Sequence, residues 1–127
     1  MRIYPTQIEQ KLEVDQIRDL IKGYCQMPIS RALVMSTSPS VDYGEIRQRL
    51  MQTSDYIKIT ENDAGYPKGG LEDIKPLLIK IKLKGSYLGA DDFFLLSKGN
   101  RILSQWQQFL SKNKESYAWL SKLFSDL

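Results

Sequence analysis

A short stretch near the start of the chain decides the fold class: Val14-Asp15-Gln16-Ile17-Arg18-Asp19-Leu20-Ile21-Lys22-Gly23-Tyr24-Cys25. Apolar side chains recur in it every three or four positions, the spacing of one face of an α-helix. Asp15 is the predicted N-cap, because its carboxylate can accept hydrogen bonds from the free N–H groups of the first turn. We expect the rest of the chain to supply only part of the partner that this apolar stripe needs. The stripe consists of Ile17, Leu20, Ile21, Tyr24 and Cys25.

Similar signals predict short helices on both sides of this stretch. Upstream, Thr6 and Glu9 match a capping box and begin a first helix. Downstream, Pro28 suits the first turn of a third helix, and Asp42 caps a fourth that ends near Thr60. The fourth helix is expected to pack through the apolar spacing of Tyr43, Ile46, Leu50, Thr53 and Ile57.

The C-terminal third of the chain has the clearest helical pattern. A long helix is predicted from Ala90 to Lys112, and a last helix after Asn113. These helices predict an all-α fold, arranged as an irregular multi-helix array or bundle. The expected packing face of the long helix is Leu95, Gly99, Ile102, Leu103, Trp106, Phe109 and Leu110. That of the last helix is Tyr117, Leu120, Leu123 and Phe124.

Leu77–Lys84 is the one segment for which a strand is an alternative to a helix. Its residues from Ile79 onwards alternate strictly between apolar side chains and lysine, which is typical of a half-buried strand. The same residues also fit a helix that begins near Pro76 and stops at Gly85. The residues alone favour neither alternative.

Composition favours one ordinary globular domain spanning residues 1–127, since 42% of the residues are hydrophobic and 26% are charged. No apolar run approaches the roughly 20 residues that span a bilayer, and no signal-peptide pattern opens the chain, so a cytoplasmic protein is expected. Cys25 is interpreted as a small buried hydrophobe. Because the chain stops at Leu127 while still amphipathic, we expect an excised N-terminal piece of a longer protein.

No catalytic, cofactor-binding or metal-ligating residue is predicted. The chain lacks histidine, which is the commonest general base and metal ligand. The loop from Gly65 to Gly70 lacks the phosphate-loop spacing, because Leu71 follows it instead of lysine. Asp63, Asp91 and Asp92 are carboxylates of the kind that bind hard cations, but the aspartate pair is more typical of a helix N-terminus, where the helix dipole favours negative charge.

The net charge of +3 permits contact with nucleic acid but does not require it. A solvated face is the simpler interpretation of the densest basic run, and the tryptophans at helical spacing are interpreted as core. We expect the isolated chain to bind DNA weakly and without structure preference. The candidate contacts are Lys75, Lys80, Lys82 and Lys84.

Several segments spread along the chain resemble parts of one known protein family. They are Ile3-Tyr4-Pro5 with the continuation to Cys25, Met27-Pro28-Ile29-Ser30-Arg31-Ala32-Leu33, Leu50-Met51-Gln52-Thr53, Gly70-Leu71-Glu72-Asp73-Ile74-Lys75-Pro76-Leu77-Leu78 and Gly85-Ser86-Tyr87-Leu88. Together they resemble the N-terminal region of the second bacterial subfamily of MutS-type ATPases, the MutS-like endonuclease proteins. The likeness covers most of the chain and favours the helical alternative for Leu77–Lys84.

The resemblance implies a helical core and lever region that precedes an ATPase. In such a parent, a homodimer, the sites for ATP and Mg, the clamp around DNA and the nuclease all lie outside residues 1–127. The family is associated with DNA repair, suppression of recombination and rescue of stalled ribosomes. The expected role of this chain is therefore a non-catalytic coupling segment whose partners are the remainder of the parent chain and, through the parent, DNA and the ribosome, with no membrane partner.

Two other function classes remain open on the residues alone. The chain can be a free-standing helical adaptor that binds a protein partner through an apolar groove. It can also be a small helix-turn-helix regulator, although residues 42–60 mix Arg47 and Arg49 with Glu45 and Asp55 instead of presenting a basic recognition face.

Overall fold

A computed structural model describes residues 7–62 and 65–125 of the chain. Within these residues every regular element is a helix, which confirms the predicted all-α class. None of these helices is both long enough and apolar enough to cross a membrane. They are α1 (Ile8–Lys11), α2 (Val14–Tyr24), α3 (Pro28–Ser36), α4 (Tyr43–Asn62), α5 (Lys75–Lys82), α6 (Ala90–Lys112) and α7 (Ala118–Ser125).

The described residues group into two compact units. The first contains α1, α2 and α3 and extends to Ser38, and the second begins at Pro39 and contains α4 to α7. The single-domain interpretation of residues 1–127 stays a prediction. Thr6, the predicted cap of the first helix, lies outside the described residues.

In the first unit, α2 begins earlier than predicted and is not capped by Asp15. Only Leu12 and Glu13 separate α1 from α2, and Glu13 makes the turn in the left-handed conformation with φ of 56°. This tight turn puts Glu13 at the cap position, so Asp15 falls within the first helical turn. Its carboxylate accepts instead from Arg18 Nη1 at 3.0 Å. Pro28 begins α3, as predicted, where its missing N–H costs nothing.

The core of the second unit lies where α4, α6 and α7 meet. Ile59, Leu110 and Tyr117 are buried at its centre. Phe109 stacks on Tyr117 with ring centroids 6.1 Å apart, and Trp106 meets Phe109 edge-on at 5.9 Å. The predicted packing faces of the last two helices therefore supply most of this core. Partly buried side chains around it are Tyr66, Trp106, Phe109, Leu120 and Phe124.

The predicted packing face of α4 is wrong. All five of its predicted packing residues are exposed, and the side chains that α4 buries are Asp55 and Ile59. The reason is that α7 packs on a different side of α4, where the Asp55 carboxylate accepts hydrogen bonds from its first turn. The Asp42 cap is confirmed, since its Oδ1 accepts from the Glu45 N–H at 2.9 Å.

Residues 75–82 form α5, so the strand alternative for this segment is not adopted. Asp73 Oδ1 accepts from the Lys75 N–H at 2.9 Å before the helix, and Pro76 lies in its first turn. Gly85 follows the helix with φ of +82°, a left-handed conformation that glycine adopts without strain. Three aliphatic side chains of α5 remain exposed: Leu78, Ile79 and Ile81.

Candidate functional site

The apolar stripe of α2 is exposed. Leu20 is 67% and Tyr24 is 88% exposed, and Ile17 and Ile21 are each about half exposed. Cys25 is only half-buried, which corrects its interpretation as a buried hydrophobe, and its thiol donates to the Ile21 carbonyl at 3.4 Å. We call Ile17, Leu20, Ile21 and Tyr24 the α2 stripe. A continuous exposed apolar face of this kind is typical of a docking surface.

Hydrogen bonds from one side chain, that of Arg18 on α2, connect α1, α2 and the residue after α3. We call this set of contacts the Arg18 lock. The guanidinium of Arg18 donates to both carboxylate oxygens of Glu9 on α1, at 2.9 and 3.1 Å, and to Asp15 on its own helix. It also donates to the carbonyl of Thr37, just after α3, at 2.6 Å. The hydrogen bond with Glu9 is the main cause that raises the pKa of Arg18, so the guanidinium stays charged.

A second contact fixes α3 to the end of α2. Arg31 Nε donates to the carbonyl of Cys25 at 3.0 Å. Together with the Arg18 lock, it determines how α2 presents its stripe. The first unit thus uses hydrogen bonds to arrange its helices, while the large apolar side chains of α2 face solvent.

The four candidate nucleic-acid lysines do not form one free basic patch. Lys80 Nζ donates to Asp92 Oδ2 at 2.8 Å, which ties α5 to the start of α6. This hydrogen bond, followed by one from the Gly89 N–H, lowers the pKa of Asp92. Lys75, Lys82 and Lys84 are exposed. The assignment of these lysines to nucleic-acid contact stays a prediction.

An open pocket of about 420 Å³ lies beside this ion pair. Its polar side chains are engaged with one another: Lys80 with Asp92, and the Ser86 hydroxyl with the Lys80 carbonyl. The exposed ring of Tyr87 lies 5.9 Å from the Lys80 ammonium. These mutual contacts leave the pocket few groups to offer a ligand.

The glycine-rich loop before α5 packs against α6. A Cβ on Gly69 would lie 3.5 Å from Ile102 Cδ1, and Lys68 Nζ lies 5.5 Å from the centroid of the Tyr66 ring. This loop therefore covers part of α6. Asp63, the other acidic residue considered as a cation ligand, lies outside the described residues. Among residues 7–62 and 65–125 no three histidine, cysteine or acidic side chains converge as metal ligands do.

Sequence reasoning missed the polar contact that holds α7. Asp55 is 3% exposed, and its Oδ2 accepts from the backbone N–H groups of Trp119 and Leu120 at 3.0 and 3.1 Å. Tyr117, at the position before α7, has no side chain suited to capping, so a carboxylate from α4 caps α7 instead. The only sequence signal was an acidic residue within a helical segment, and such residues are usually exposed.

Trp119 is not a core residue, contrary to its interpretation from the sequence. Trp119 is only partly buried, and two cations lie near its ring. Lys122 Nζ lies 4.7 Å and Arg47 Cζ lies 5.6 Å from the ring centroid. We call Arg47, Trp119 and Lys122 the Trp119 cluster. Tyr117 is buried, as predicted.

The chain is similar in sequence to proteins named endonuclease MutS2. It is 23% identical to the protein of Aquifex aeolicus over 92% of this chain and 15% of the relative. It is 31% identical to that of Ruminiclostridium cellulolyticum over 58% of this chain and 9% of the relative. For the protein of Fusobacterium nucleatum, the identity is 28% over 72% of this chain and 12% of the relative.

These similarities support a relationship to the MutS family. The chain spans about 15% or less of the length of these curated relatives. No protein-family model matches it. No solved structure matches it either.

Proposed function

We propose that this chain is a helical core and lever segment of a longer MutS-like, ATP-dependent DNA-binding protein. In this proposal the chain has no catalytic centre of its own. Its helices transmit the nucleotide state of an ATPase to a clamp that holds DNA, in DNA repair, suppression of recombination or rescue of stalled ribosomes. ATP and Mg²⁺ bind elsewhere in the parent, which acts as a homodimer in the cytoplasm.

The observation that carries the proposal is the exposed α2 stripe. Burying a leucine-sized side chain contributes about 1.5–3 kcal/mol of favourable free energy. Four exposed apolar side chains on one face of α2 therefore favour a partner that covers them. The Arg18 lock holds α2 against its neighbouring helices. A helix that is held rigidly and has one apolar face suits a role in coupling distant sites, because conformational changes are transmitted by packed helices that move as rigid bodies.

The length of the relatives supports the same proposal. The chain matches a small fraction of each endonuclease MutS2. A longer protein of that kind has ample surface to cover the α2 stripe. The name of these relatives also favours DNA as the polymer on which the parent acts.

The experiment compares two substitutions on α2 in the longer protein. Leu20→Glu places a carboxylate in the stripe, and Lys22→Gln, on the polar side of the same helix, is the matched control because it changes the net charge by the same amount. In the isolated chain each variant should unfold within about 0.5 kcal/mol of wild type, because both sites are exposed. In the longer protein, Leu20→Glu should reduce the stimulation of ATPase activity by DNA at least fivefold, with basal ATPase activity unchanged.

Equal DNA stimulation in the two variants would reject the coupling role. A free-standing adaptor remains the second candidate, because an exposed apolar stripe also suits a separate protein partner. The genomic reading frame separates the two candidates. A frame that continues into a phosphate-loop ATPase supports the coupling segment, and a frame that stops after residue 127 supports the adaptor.

A further inference from the structure

Two positive side chains from different helices converge on one partly buried ring. Arg47 comes from the first turns of α4, and Trp119 and Lys122 come from α7. The two cations lie 5.6 and 4.7 Å from the centroid of the indole, within the range of an attractive cation–π contact. Neither sequence spacing nor composition brings Arg47 near the other two.

The cluster stands on a rigid base. Asp55 accepts from the backbone N–H of Trp119 itself, which fixes the start of α7 on α4. Contact with the ring restricts Arg47 and Lys122 before any ligand arrives. A ligand that binds two restricted cations therefore loses less side-chain entropy than one that must order two free lysines.

Neither cation is neutralised within the described part of the chain. The ion pairs of the second unit there involve Arg49, Lys80 and Lys98. The buried carboxylate of Asp55, near the start of α7, accepts hydrogen bonds from two backbone N–H groups and not from either cation. Two like charges near one ring repel each other, and an anion that contacts both would relieve that repulsion.

We propose that the Trp119 cluster binds the backbone of single-stranded nucleic acid, with Arg47 and Lys122 on phosphate oxygens and a base against the solvent-accessible part of the partly buried indole. The choice of nucleic acid among anions rests on the proposed function, whereas the site itself rests on geometry. Arginine matches phosphate oxygens with paired N–H donors, and aromatic rings provide the stacking surface that single strands use. The cluster is the main contact, and Lys82 and Lys84 add only general positive charge.

The test measures fluorescence anisotropy of a labelled 20-nucleotide single-stranded DNA against the full chain between 20 and 150 mM NaCl. Arg47→Gln with Lys122→Gln should weaken binding at least tenfold and make the log–log salt slope shallower by about 1.4, which corresponds to two phosphates. The matched control, Lys82→Gln with Lys84→Gln, removes the same charge and should weaken binding less than threefold. An equal loss in the two double variants, or no binding by wild type at 20 mM NaCl, would overturn the proposal.

A second readout locates the contact. The chain has two tryptophans, and Trp119→Phe identifies which indole N–H resonance belongs to the cluster. On addition of the DNA, that resonance should shift while the Trp106 resonance stays in place. Polyglutamate of equal charge should leave both in place, since it offers no base to stack. An equal shift with polyglutamate, or no shift with DNA, contradicts a nucleic-acid site.

Failure of this proposal is distinguishable from failure of the proposed function. A reading frame that stops after residue 127 would remove the coupling role, and the anisotropy and resonance shifts would still decide the Trp119 cluster. Conversely, equal losses in the two double variants would remove the cluster and leave the Leu20→Glu experiment unaffected.

Discussion

Substitution of Asp55 tests the reasoning about how the second unit is held together. The carboxylate is 3% exposed and accepts from two N–H groups in the first turn of α7, at 3.0 and 3.1 Å. Asp55→Ala removes both hydrogen bonds and leaves the two donors without a partner. Asp55→Asn keeps one accepting oxygen but removes the negative charge that favours a helix N-terminus.

The magnitudes follow from these contacts. Loss of an N-cap costs about 0.5–2 kcal/mol, and a hydrogen bond to a charged group contributes about 1.5–3 kcal/mol. Because the two bonds share one oxygen, we expect Asp55→Ala to lower the free energy of unfolding by about 3 kcal/mol and Asp55→Asn by about 1.5 kcal/mol. Glu61→Gln, at an exposed position near the end of the same helix, should change it by less than about 0.5 kcal/mol.

The assay is urea unfolding followed by tryptophan fluorescence. Both tryptophans, Trp106 and Trp119, lie in the second unit, so the signal reports that unit alone. Hydrogen exchange adds a local measurement, since the amides of Trp119 and Leu120 should lose protection first in Asp55→Ala. If Asp55→Ala unfolds within 0.5 kcal/mol of wild type, or Glu61→Gln costs as much as Asp55→Asn, the capping argument is refuted.

Three further predictions follow from single features. Gly85→Ala should destabilise the chain by about 1 kcal/mol, because φ at this position is +82°. Gly23→Ala should stabilise the chain by about 0.5–1 kcal/mol, because Gly23 lies within α2 with open space around it. Urea midpoints with far-ultraviolet detection measure both changes. Asp92→Asn should destabilise the chain at pH 7. The pKa of Asp92 is lowered in the folded state, so the ionised carboxylate contributes to folding stability above the ordinary carboxyl pKa of 3.8, and this contribution is lost as the group protonates. The difference in stability from wild type should therefore shrink as the pH falls below 3.8. An unchanged difference at pH 2.5 would contradict this. The purified chain should show no ATPase or nuclease activity above a boiled control in the presence of Mg²⁺; cleavage of branched or linear DNA would contradict this.

Local chemistry made most of the helices predictable. Pro28 begins α3 and Asp42 caps α4, because both act through atoms within four residues of their own position. The face of α6 that carries Ile102 and Leu110 also matches its periodicity, since α6 has one clearly apolar side. The segment around α5 stayed open on the residues alone, because strict alternation over a few residues fits a strand and a short helix equally well.

The candidate sites were much less predictable. The four-lysine run was visible in the sequence, but the bond from Lys80 to Asp92 depends on α6. The Trp119 cluster was invisible, because Arg47 lies far along the chain from the ring that it covers. Electrostatic and aromatic contacts between helices depend on which helix faces which, and periodicity does not carry that information.

The sequence by itself determined that this protein is built mostly of amphipathic helices. It also determined that α2 has an apolar stripe, because helical spacing fixes which residues share a face. Only the tertiary structure decided which face of each helix is covered. It left the α2 stripe exposed and buried Asp55 in place of the apolar face predicted for α4. The physical reason is that burial depends on the partner surface. A carboxylate is buried where backbone N–H groups satisfy it, and the α2 stripe stays exposed because, among the described residues, no helix of its own unit covers it.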